Sequence, residues 1–60
     1  MDNVYCIIGI YEDGEVHEDL LAVHRTEDGA KAGLDRYDAN RLANNSLYER
    51  FEIRAMPVMP

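Results

Sequence analysis

From Val4 to Tyr11 the chain reads Val-Tyr-Cys-Ile-Ile-Gly-Ile-Tyr, apolar at odd and even positions alike. β-Branched and aromatic residues dominate the run, and a strand apolar on both parities suits the middle of a sheet. Glu12-Asp13-Gly14-Glu15 follows. Asp-Gly is a strong hairpin signal, because a type I′ turn needs positive φ at both central residues. A first strand over about 4–11 is therefore predicted to turn at Asp13-Gly14 and return over about 16–25. With a two-residue turn, Val4 faces Val23, Tyr5 faces Ala22, Cys6 faces Leu21 and Ile7 faces Leu20, so apolar residues meet on both faces. The same register sets Ile8 opposite Asp19 and Ile10 opposite His17, a poor match that leaves room for a bulge or wider loop near the tip.

The period then changes. Thr26 can cap a helix, with Glu27 and Asp28 at the positive end of its dipole. Ala30, Leu34, Tyr37 and Arg41 recur at helical spacing, and Gly33 beside them permits close approach to a sheet. Asn44-Asn45-Ser46 is the natural stop, giving a helix over about 27–44. From 49 to 56 the chain alternates, with Phe51, Ile53 and Ala55 inward and Arg50, Glu52 and Arg54 outward. Pro57 ends that strand, and 57–60 form an apolar tail.

Strand, strand, helix, strand predicts one α+β domain over 1–60, a ββαβ unit. A right-handed crossover places the first strand in the middle, in order 2-1-3, with the helix on one face. On the face left open the expected register places Tyr5, Ile7, Tyr11, Val16, Leu20 and Ala22. Arg41, on the inward helical stripe, is expected to pair with Asp19.

Val4-Tyr5-Cys6-Ile7-Ile8, Leu21-Ala22-Val23 and Thr26-Glu27-Asp28-Gly29-Ala30 together resemble a family of small uncharacterised bacterial and bacteriophage ββαβ domains. The likeness covers the first half of the chain. It implies the fold and a phage or accessory origin, and it brings no catalytic residues.

Charge is more informative than overall composition. The net charge is −6, and residues 12–28 hold Glu12, Asp13, Glu15, Glu18, Asp19, Glu27 and Asp28 against Arg25 alone. That field repels nucleic acid and favours basic surfaces. A single cysteine, Cys6, in an apolar run reads as a core residue of a reducing compartment. Neither a membrane span nor a signal peptide is evident, so a cytoplasmic protein is expected, in the host cytoplasm if phage-encoded.

Candidate chemistry is sparse. Ser46 is the only serine, and neither it nor Cys6 has a histidine nearby in sequence to activate it. His17 and His24, seven residues apart on one strand, should point to opposite faces and share no metal. Gly29-Ala30-Lys31-Ala32-Gly33 lacks the Gly-Lys-Ser/Thr ending of a phosphate loop. No enzyme, cofactor or metal is expected, nor direct nucleic-acid binding.

Two surfaces remain. Glu12, Asp13, Glu15, Glu18 and Asp19 form an acidic hairpin end that could imitate nucleic-acid phosphates and inhibit a host protein with a basic surface. Tyr5, Ile7, Tyr11, Val16 and Leu20 form an open sheet face that could join a homodimer or assembly.

Overall fold

A computed structural model describes residues 2–44 and 47–58, with the side chains of 42–44 outside what is described. Asn45, Ser46, Met59 and Pro60, which carry part of the expected helix stop and tail, lie outside the described residues. The elements are β1 (Asn3–Glu12), β2 (Val16–His24), α1 (Glu27–Asn44) and β3 (Arg50–Pro57). They build one three-stranded antiparallel sheet in order β2-β1-β3, backed by the helix. This is the α+β ββαβ arrangement that the pattern predicts.

β1 is central because it is apolar on both parities, and Cys6 through Ile10 are buried. Ile7 and Ile10 have no exposed surface although they point to opposite faces. The Thr26 cap forms as expected: the Gly29 N–H donates to Thr26 Oγ1 at 3.0 Å and the Ala30 N–H to the Thr26 carbonyl at 3.1 Å.

The hairpin register differs from the two-residue expectation. Glu12 pairs with Val16, so Asp13, Gly14 and Glu15 all belong to the loop. Gly14 takes a φ of 97°, and the Asp13 N–H donates to the Glu15 carbonyl at 3.1 Å. One more loop residue removes the poor match: Ile8 now faces Leu20 rather than Asp19, and His17 faces Tyr11 rather than Ile10. A β-bulge follows, since Ile8 pairs with Leu20 but Ile7 with Ala22, leaving Leu21 as the extra residue.

Loop and bulge also change which β2 residues share a face with those of β1. A Cβ built on Gly33 of α1 would stand 2.9 Å from Ile7 Cδ1 and 3.0 Å from His24 Nε2, so the helix lies on Ile7. Odd residues of β1 therefore face the helix side, together with Phe51, Ile53 and Ala55 of β3. Tyr5, Ile7, Tyr11 and Ala22, expected on the open face, are on the helix side. Val16 and Leu20 do lie on the open face, opposite Glu12 and Ile8. The inversion arises because β1 is apolar on both sides: its own pattern cannot choose, and β3 decides through its pairing with β1.

Candidate functional site

The hairpin end is a packed aromatic and polar cluster on the helix side. Tyr11 stacks on His17, with ring centroids 4.6 Å apart and 15° between planes. Tyr48 meets Tyr11 edge-on at 5.8 Å and Phe51 at 5.8 Å, while Phe51 lies 5.5 Å from Tyr37 of the helix. Gly9 makes this possible, since a Cβ there would stand 2.7 Å from Tyr48 Cδ1. The Tyr37 hydroxyl reaches the bulge, donating a long 3.5 Å bond to the Leu21 carbonyl.

These aromatics engage part of the acidic set. Asp13 Oδ1 lies 2.7 Å from His17 Nε2 across the loop. The Tyr48 hydroxyl donates to Asp19 Oδ2 at 2.7 Å, and that carboxylate holds the Tyr48 pKa above its usual value. The expected Arg41–Asp19 ion pair is not formed. Tyr48 takes the carboxylate instead, and Arg41 leaves a buried Nε without a hydrogen-bond partner among the described residues.

Glu18 belongs to the opposite face. Its carboxylate pairs with the Arg54 guanidinium through both nitrogens, Nη1 to Oε1 at 3.1 Å, and Arg54 Nη2 also reaches Glu52 Oε2 at 3.1 Å. Arg54 stands beside Cys6 on one edge strand and Glu18 beside Ile10 on the other. The pair thus straps the middle strand on the side of Cys6, Ile8 and Ile10, where no second helix lies overhead among the described residues, and its aliphatic stems are placed to shield them. The hydrogen bond to Arg54 lowers the Glu18 pKa from its usual value. Sequence reasoning missed this strap; its only signal was Arg54 and Glu52 among the outward positions of an alternating strand.

Of the expected acidic tip, then, Asp13, Glu18 and Asp19 have internal partners. Glu12 and Glu15 are exposed and have none among the described residues. On the open face, apolar exposure concentrates in β2, where Val16, Leu20 and Val23 are 59%, 61% and 54% exposed, with Met56 of β3 at 50%.

His17 and His24 pair with Tyr11 and Tyr5, so the bulge turns both to the helix side rather than to opposite faces. Six residues of strand still hold them roughly 20 Å apart, too far to share a metal. Among the described residues no three His, Cys, Asp or Glu side chains gather as metal ligands. Beside the helix start, Tyr5, Glu27, Lys31, Ile53 and Ala55 line an open groove of about 280 Å³. Glu27 and Lys31 are ion-paired there at 3.0 Å, and the groove pairs no nucleophile with a base. Among the described residues no helix is long and apolar enough to cross a membrane.

Comparison with protein-family models, with curated proteins and with solved structures gives no match to this chain.

Proposed function

We propose that this chain is a non-enzymatic binding protein that presses the end of its β1–β2 hairpin onto a basic surface of another macromolecule. The observation that carries the reading is the placement of Asp13 and Glu15 on a short loop, with Glu12 at the end of β1 beside them, next to the stacked rings of Tyr11 and His17. Two of these carboxylates have no partner within the described residues, and the third is matched only by a histidine. Rigid, unpaired negative charge is what a groove built to grip phosphates recognises. Occupying such a groove would inhibit a nucleic-acid-binding host protein, the role expected of a phage or accessory factor.

Glu18 and Asp19 drop out of the contact surface in this reading. They are consumed by Arg54 and Tyr48.

Capture from bacterial lysate, with the recovered protein then purified and titrated, tests the reading. Binding should weaken steeply with salt, and Glu12→Gln with Asp13→Asn and Glu15→Gln should abolish it. Undiminished affinity of the triple variant for that protein would reject the hairpin end as the contact.

A further inference from the structure

The chain is unusually thin for its mass. Its Cα atoms span 37 × 25 × 11 Å, one sheet and one helix deep. A compact monomer of this mass exposes about 4000 Å², whereas this one exposes 4528 Å². Its radius of gyration is 12.4 Å, against about 10 Å for a compact domain of this length. Part of the exposed apolar surface lies on the open face, in the β2 row of Val16, Leu20 and Val23.

We propose that a second copy of this chain covers that face, the two sheets packing against each other with their strands antiparallel. The occupant follows from the pattern of the face. Cys6 is flanked by Val23 and Arg54, and the next row, Ile8, by Leu20 and Glu52. A two-fold axis running across the strands between these rows sets Leu20 over Val23 of the second copy and Glu52 over its Arg54. In these two rows apolar meets apolar and negative meets positive, twice each by symmetry, while the flanking row brings Arg50 over Met56 at the rim. An axis running along the strands would instead stack Leu20 on Glu52 and Val23 on Arg54, which desolvates charge against hydrocarbon. Face-to-face sheets about 10 Å apart then make a four-layer assembly, helix–sheet–sheet–helix, from two slabs.

The Glu18–Arg54 strap fits this arrangement. It shields the middle strand in the single chain, leaving the β2 row as the apolar contact, and it offers the partner alternating charge. The two acidic hairpin ends point in opposite directions and remain exposed, so association through the face is independent of binding at the tip.

Sedimentation equilibrium at micromolar concentrations should return twice the 6.9 kDa chain mass. Leu20→Glu should weaken association by at least about 10-fold while leaving the circular dichroism unchanged, because Leu20 is exposed in the single chain. A 6.9 kDa species throughout, or dimerisation indifferent to Leu20→Glu, overturns the proposal. Orientation is read separately in a Cys6→Ala background. Leu20→Cys with Val23→Cys should give a covalent dimer on oxidation, and cross-linking of Leu20→Cys with Glu52→Cys in its place would overturn the antiparallel arrangement.

Discussion

Gly9 is where the fold is least tolerant of an added atom. An alanine there would put its Cβ 2.7 Å from Tyr48 Cδ1, 2.9 Å from Tyr48 Cε1 and 2.9 Å from Leu21 Cδ1. The two Tyr48 atoms belong to a ring held on several sides rather than to the loose end of a flexible chain. Tyr48 is wedged between Tyr11 and Phe51 and anchored through its hydroxyl to Asp19, and Leu21 is the bulge residue whose carbonyl Tyr37 engages. Inserting a methyl into packing of this kind costs about 1–3 kcal/mol. Replacing glycine restricts the unfolded chain and returns about 0.4–1 kcal/mol. The net expectation for Gly9→Ala is a loss of about 1–2 kcal/mol, from a total of ~3–9 kcal/mol for a chain this size. At about 4–8 °C per kcal/mol, the thermal midpoint should fall by roughly 5–15 °C.

Urea unfolding followed by circular dichroism measures this directly, and a double-mutant cycle with Tyr48→Ala identifies the clash. Removing the ring first should make Gly9→Ala milder, with a coupling of about 0.5–3 kcal/mol. Leu21 would keep the cost from vanishing. A Gly9→Ala variant as stable as the parent would overturn this account, because Tyr48 would then not be packed against Gly9 as tightly as these distances require.

Two further outcomes follow from local contacts. Thr26→Ala removes the acceptor of the Gly29 N–H and should destabilise the chain by about 1 kcal/mol, read as a lowered urea midpoint with unchanged slope. Glu18, whose carboxyl Arg54 holds below its usual 4.5, stabilises the fold above that pH, and its contribution is lost as pH falls through the depressed folded value. The thermal midpoint should therefore fall on acidification below 4.5, and Glu18→Gln should flatten that part of the profile.

Sequence pattern sufficed for the elements and their order because each boundary has a local cause. Thr26 and the two acids behind it start the helix, Asp13-Gly14 turns the hairpin, and an alternating run from Arg50 makes the last strand. The loop length was not legible in the same way. Asp-Gly serves a two-residue turn and a three-residue loop equally, and the choice falls to pairings many residues away, Ile8 with Leu20 and Tyr11 with His17. Of the acidic site, Glu12 and Glu15 stand as the pattern implies. The partners of Asp13, Glu18 and Asp19 were hidden because they come from other turns and strands: His17, Arg54 and Tyr48.

The faces of the sheet hold the deeper lesson. β1 offers isoleucine to both sides, so either could have received the helix. What decides is the register of β1 against β3, and no turn links those strands. Ile7 pairs with Ile53 and Gly9 with Phe51, so the three inward residues of β3 carry the odd side of β1 beneath α1. Gly9 completes the choice. A bare position at the centre of that side admits Tyr48. The even side must then bury Cys6, Ile8 and Ile10 without a helix, and it does so with the stems of charged residues whose heads pair with one another. Such a cover blocks water from the middle strand but leaves the hydrocarbon of β2 in solvent. A helix in its place would have hidden both, and the slab would then have no apolar row to offer a second copy.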